Sequence, residues 1–274
     1  MENSMDRRFA VLIDADNVSG KYIKCILDEV SSDGIATYKR IYGDWSSPLL
    51  QSWKSLLLDN SILPIQQYGY TTGKNATDSA MIIDAMDILY SGNVEGFYIV
   101  SSDSDFTRLA ARLRESGMYV VGMGEKKTPQ PFISACNKFR YLEILAETAA
   151  QAAESEETEQ LEAETETPET AKCAPATGGS QQMTSQKTIR KAIRNIVEEI
   201  SDEDGWAFTG ELGSVLTKRY PDFDVRNFGF KKLTPFLKSL GMLDIKGIRS
   251  ADGNSKVVYV RLLEQKKTGG RGGR

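Results

Sequence analysis

Apolar positions come first in short, nearly unbroken runs. FAVLID, IATYKRIYG, ILPIQQYG, GFYIVSS and YVVGMG each gather β-branched, aromatic and aliphatic residues between turn-forming ends. Runs of this kind fit strands buried on both faces of a sheet. Between them the period changes. Stretches near 19–32, 48–59, 77–91 and 104–116 repeat their apolar residues three and four apart and read as helices. Strands alternating with helices through residues 1–145 predict a parallel sheet with helices on both faces.

The pattern then stops. Residues 146–184 carry nine acids, one lysine and almost no large apolar side chain, which reads as a flexible acidic linker containing stretches of transient helix. It resumes at 185. QKTIRKAIRNIVEEIS has Ile189, Ile193, Ile196, Val197 and Ile200 at helical spacing. TGELGSVLTKRYP predicts a second helix with Thr209 as its N-cap, and KKLTPFLKSLG a third closed by Gly241. MLDIKGI and KVVYVRLL flank the turn-rich RSADGNS and read as a hairpin. Three helices and a hairpin make a winged helix-turn-helix over 185–264, followed by the basic Gly/Arg tail 265–274.

Charge sharpens this division. The first 145 residues carry net −3, the linker −8, and residues 185–274 carry 18 basic and 11 acidic residues, net +7. An acidic chain of net −4 thus contains a basic last third, which points to an anionic partner, nucleic acid before membrane. No apolar run reaches the length of a membrane span, and the amino terminus does not read as a signal peptide. Three scattered cysteines, Cys25, Cys136 and Cys173, suit neither a disulfide framework nor a zinc site, so a reducing cytoplasm is expected. There is no histidine. That removes His-based triads and His-ligated zinc, and leaves carboxylate, lysine, tyrosine or metal-bound water as a general base.

The acids supply candidates. VLIDADNV sends Asp14 and Asp16 out of the first strand, and FYIVSSDSDF repeats the device with Asp103 and Asp105. Ligands of open parallel sheets bind at carboxyl strand ends, so neighbouring strands would bring these acids together. On the helix from Thr77, the stripe Met81, Ile82, Ala85, Ile88 and Leu89 carries Asp78 one turn ahead of it, at about 100° per residue. Asp87 points to solvent and Asp84 lies at the stripe's margin. Convergent carboxylates repel unless they protonate or bind a cation, and oxygen-only ligands suit Mg²⁺ or Mn²⁺. Such an ion supports attack on a phosphodiester without histidine. The plainer alternative is that Asp16 and Asp105 cap helices starting near 18 and 106. Asn17 is a further ligand or a turn residue, Lys74 a phosphate contact or a loop charge, and Asp44 a rim acid or a turn former.

Taken in order, VLIDADNV, YGDW, GKNATDSAMIIDAMDIL, FYIVSSDSDFTRL and YVVGMG resemble the NYN family, the LabA-like branch of the PIN-like nucleases. LTKRYPDFDVRNFGFKKLTPFLKSLGMLDI resembles an OST-HTH (LOTUS) domain. The resemblance implies a PIN-like three-layer α/β/α sandwich and a metal-dependent ribonuclease, endonucleolytic in our reading. It implies catalytic Asp14, Asp78, Asp103 and Asp105, metal on Asp14, Asp78 and Asp103, and support from Asn17, Asp16 and Asp84. NATD stands where the family usually has glycine-valine before the helix acid, and Ser101 where it has glycine. The second domain would bind RNA, through Arg226, Lys231, Lys232 and Lys238 at the third helix and Lys246, Arg249, Lys256 and Arg261 on the hairpin. Phe223, Phe228, Phe230 and Phe236 stack on bases or fill the core. A homodimer, and a protein partner for this domain, remain compatible with the sequence. So do a non-catalytic RNA scaffold and a haloacid-dehalogenase-like phosphatase with Asp14 as nucleophile.

Overall fold

The computed structural model describes residues 7–68, 76–161, 184–249 and 256–263, with side chains for all but 152–161, 249 and 256. The chain divides into two compact units, Met1–Met183 and Thr184–Arg274.

Among the described residues of the first unit, six strands form one parallel sheet. They are β1 (Arg8–Asp14), β2 (Ile35–Gly43), β3 (Leu63–Gln66), β4 (Gly96–Val100), β5 (Tyr119–Gly124) and β6 (Lys138–Tyr141), in the order β3-β2-β1-β4-β5-β6. The connecting helices are α1 (Ile23–Asp33), α2 (Trp53–Asp59), α3 (Ala76–Ser91), α4 (Thr107–Glu115) and α5 (Gln130–Ala135), and α6 (Leu142–Leu161) follows β6. Alternate residues of β1 face opposite layers. Phe9, Val11 and Ile13 join side chains of α1, α2 and α6 in one core, while Ala10 and Leu12 join α3, α4 and α5 in the other. Each large aliphatic or aromatic side chain so buried contributes roughly 1.5–3 kcal/mol. This is the three-layer α/β/α sandwich expected.

The order places the site. The chain winds outward from β1 through β2 to β3, then returns to lay β4 against β1 and winds the other way. The reversal opens a crevice at the carboxyl ends of β1 and β4, where ligands of such sheets bind. A cleft of about 750 Å³ lined by Arg7, Glu95, Arg114, Tyr119 and Asn137 lies at the opposite, amino end of the strands.

In the first unit, the sequence reading missed α5 and β6. β6 alternates Lys138 and Arg140 with buried Phe139 and Tyr141. The two cations are largely buried and paired: Lys138 Nζ lies 2.9 Å from Asp33, and Arg140 Nε donates to Glu29 at 2.8 Å. The Tyr98 hydroxyl also donates to Asp33, at 2.6 Å, and burial raises its pKa. Helix α6 runs into the acidic stretch read as linker, as far as Leu161; residues 162–183 lie outside the described ones. Among the described residues no helix is long and apolar enough to cross a membrane.

The second unit contains α7 (Gln186–Ile200), α8 (Thr209–Arg219), α9 (Leu233–Ser239) and an antiparallel sheet of β7 (Ala207–Phe208), β9 (Lys256–Leu262) and β8 (Leu243–Arg249), in that order. Ile189, Ile193, Ile196 and Val197 of α7 enter its core with Leu212, Leu216, Phe236 and Val260. Gly241 closes α9 at φ 63°, a left-handed conformation that glycine adopts without strain. Thr209 is not the N-cap of α8. Phe208 takes that position, and Thr209 is the first helical residue with its Oγ1 buried and unpartnered. The hairpin turn 250–255 and the tail lie outside the described residues.

Candidate metal centre

The centre is assembled from three segments. β1 is buried from Phe9 through Asp14, so its last residue carries a carboxylate into the interior. Burial raises the pKa of Asp14, and three donors oppose that rise. The Asp16 amide donates to Oδ1 at 3.0 Å, and Asn17 Nδ2 and Ser101 Oγ each donate to Oδ2 at 2.8 Å. Ser101, just past β4, also accepts the Asp103 amide at 3.1 Å. One hydroxyl therefore links the two Asp-x-Asp ends. Gly124 of β5 makes room for the Ser101 backbone: a Cβ there would lie 2.6 Å from the Ser101 carbonyl oxygen.

Asp103 repeats the local turn, its Oδ1 accepting the Asp105 amide at 2.9 Å as it caps the 3-10 turn Ser104–Phe106. Phe106 is fully buried and anchors that turn to the core. Asp78 arrives from the first turn of α3, on the side of Met81, Ala85 and Ile88. Burial, then the charges of Asp14, Asp103, Asp105 and Asp16, push its pKa up to about 6.

Asp78, Asp103 and Asp105 each offer a carboxylate oxygen, and these lie within 4.8 Å of one another. This trio differs in one member from the Asp14, Asp78 and Asp103 set expected from sequence. Asp14 stands deeper, its oxygens committed to Asp16, Asn17 and Ser101, while the exposed Asp105 takes part. The capping alternative is corrected too. Asp14 and Asp103 take the local amides, and the turn Gly20–Tyr22 has Ser19 at its cap position without a side-chain bond.

Other candidates separate from the trio. Asp84 bonds Arg40 and the Tyr42 hydroxyl, tying α3 to β2. Asp44 forms a turn, accepting from the Ser46 amide at 3.1 Å and from Gln66 Nε2 at 2.9 Å. Asp16 is exposed at the rim, close enough for its charge to raise the pKa of Asp78, and Lys74 lies outside the described residues. A nucleophilic Asp14 fits poorly with full burial and both oxygens engaged. Ser101 is the residue whose part the sequence reading missed; its place directly after a buried strand was the available signal.

In the second unit, Lys231, Lys232 and Lys238 are exposed around α9. Arg226 is held by Asp224, with Nη2 at 2.7 Å. The side chains of Arg249 and Lys256 lie outside the described ones. Phe223, Phe228 and Phe230 pack around Phe236, with ring centroids 5.0–6.0 Å from it, and so belong to the core rather than to a base-stacking surface.

Set beside family models, residues 8–143 match the NYN domain and residues 184–254 the OST-HTH/LOTUS domain. Among solved structures, the chain is similar to a Vibrio parahaemolyticus protein of unknown function. The two are 18% identical with a TM-score of 0.43, over 52% of this chain and 96% of that one. It is also similar to an uncharacterized Nitrosomonas europaea protein, 27% identical with a TM-score of 0.27, over 36% of this chain and 94% of that one. No curated protein matches it.

Proposed function

We propose that this chain, an NYN domain followed by an OST-HTH/LOTUS domain, is a divalent-metal-dependent ribonuclease that cuts internal phosphodiesters of RNA recruited by its second domain. The observation that supports this reading is the trio Asp78, Asp103 and Asp105 at the β1–β4 crevice. Burial first, and then the charges of the neighbouring carboxylates, push the pKa of Asp78 up to about 6, and a cation bound there would relieve that repulsion. The donors are all carboxylate oxygens, which fits Mg²⁺ or Mn²⁺ and not a soft metal.

Asp78, Asp103 and Asp105 would hold the ion. When bound, such an ion polarises a phosphoryl oxygen and lowers the pKa of coordinated water. Asp14 is a positioning residue: through Ser101 and Asn17 it fixes the ends of β1 and β4, and hence the backbone carrying Asp103 and Asp105. Asp16 adds negative potential at the rim, and Asp84 locks α3 so that its first turn presents Asp78. Lys231, Lys232 and Lys238 supply positive charge for recruiting RNA. Cys25 and Cys136 are buried free thiols, in keeping with the cytoplasmic setting we assign.

The test is cleavage of end-labelled single-stranded and structured RNAs with Mn²⁺, Mg²⁺ or EDTA, beside Asp103→Asn. Metal-dependent internal fragments that vanish in the variant are expected. Activity that survives EDTA or Asp103→Asn would overturn the mechanism, and RNA binding without cleavage under either metal would make the protein an RNA scaffold.

A further inference from the structure

The outer face of the second unit's sheet carries an arrangement that core packing does not explain. The register sets Phe208 of β7 beside Tyr259 of β9, and Tyr259 beside Lys246 of β8. Arg261 and Asp244 form the next row along the same face, and Val257 and Ile248 lie on the other side of Tyr259. The alternate residues Ala207, Val260 and Leu243 point the other way, into the core. Period-two alternation should make this outer face polar. Instead Phe208 is 44% exposed and Ile248 46%.

The aromatic groups here are ordered. The Phe208 and Tyr259 ring centroids are 6.0 Å apart. Gly210 closes in beneath Phe208, where a Cβ would meet the ring at 2.7 Å. At the edge, the Arg261 guanidinium lies over Trp206 at 4.6 Å, and Lys246 Nζ at 5.8 Å from the same ring. Asp244 pairs loosely with Arg261 at 3.4 Å and is the opposing charge on this face.

We infer that this face is a binding surface for single-stranded RNA, with bases stacking on Phe208 and Tyr259 and phosphates meeting Lys246 and Arg261. The inference rests on the proposal that the second domain recruits RNA, and it moves the main contact from α9 to the sheet. Charge complementarity selects the occupant. Residues 185–274 carry net +7, and an aromatic platform edged by two cations matches a ligand that is both polyanionic and rich in exposed π-faces. A duplex keeps its bases stacked on one another and gains little from such a platform.

The experiment uses full-length protein in EDTA, to block cleavage, with a fluorescent ten-nucleotide RNA of mixed sequence and a duplex of the same length. Phe208→Ala should weaken single-strand binding at least about fivefold, the lower end for loss of one stacked base. Phe208→Trp should restore it, and Arg261→Glu should weaken it while leaving the far-UV spectrum unchanged. Ultraviolet crosslinks should map to peptides containing Phe208 or Tyr259. Binding that survives both sheet variants but falls in a Lys231→Glu, Lys232→Glu double variant would overturn the inference and leave RNA recruitment standing. A wild-type protein that binds neither RNA would sink both, and would turn the face over to a protein partner.

Discussion

The two Asp-x-Asp ends of this protein are near copies in sequence and differ in depth. At the end of β1, Asp14 is fully buried and accepts three hydrogen bonds, while Asp16 faces solvent. At the end of β4, Asp103 and Asp105 both reach the trio with Asp78. Each pair makes the same local turn, first carboxylate to second amide, at 3.0 and 2.9 Å. What separates them is depth. In β1 the first acid is the last residue of the strand, whereas β4 ends at Val100 and leaves Ser101 and Ser102 to lift Asp103 out of the sheet. Two residues of extra chain separate a fully buried carboxylate from one that lines the crevice.

A substitution at the β4 end should have the largest effect. Asp103→Asn is expected to lower kcat/KM for RNA more than about a hundredfold, since it removes a direct ligand of the proposed ion, with thermal denaturation showing a Tm close to wild type. Asp14→Ala should do the reverse in kind. It strands the Ser101 hydroxyl and the Asn17 amide, so chemical denaturation should show a loss of about 1–3 kcal/mol. A Tm unchanged in Asp14→Ala would dissolve the distinction between the two ends.

Ser101→Ala tests the link itself. It leaves the Asp103 amide without its acceptor and should reduce Mn²⁺ affinity, read by calorimetry, about tenfold, as outer supporting bonds commonly do.

The acidity of Asp78 gives a smaller, graded effect with a definite sign. Its folded pKa of about 6 lies above the ordinary 3.8, so the folded state binds the extra proton. Metal-free protein should therefore lose stability as pH rises through the window from about 4 to 6, and Asp78→Asn should flatten that slope. Mn²⁺ affinity should weaken as pH falls below about 6, because proton and ion compete for the same oxygens. Least affected should be Asp84→Asn. It loses the charge of a half-buried pair with Arg40 but keeps an oxygen to accept from Arg40 and Tyr42, so stability should fall by about 1 kcal/mol and cleavage should fall only slightly.

Much of this was legible along the chain, and the physical reason is period. Buried parallel strands must be apolar throughout, so β1, β4 and β5 stood out as runs, and the helical repeat was enough to turn Asp78 toward the sheet. Strand β6 failed the same test because it alternates cations with aromatics. Its Lys138 and Arg140 are tolerable only beside Asp33 and Glu29, 105 and 111 residues away in sequence. In the second unit, PDFDVRNFGFKKLTPF drew attention to four phenylalanines that turn out to pack around one another, while Phe208 and Tyr259 lay in short strands whose register no local pattern reveals.

By itself the sequence determined the kinds of group available and the elements that carry them: hard oxygen ligands, no histidine, acids at two strand ends and at a helix start, and a basic second module. These follow from composition and from periods of two and 3.6, which are local. Only the tertiary structure decided which acids meet, which one is buried beneath them, and which rings face solvent. Those outcomes depend on strand order, on where each strand stops relative to its neighbour, and on cross-sheet register. All of these join residues far apart in the chain, at distances of a few ångströms that no local pattern encodes.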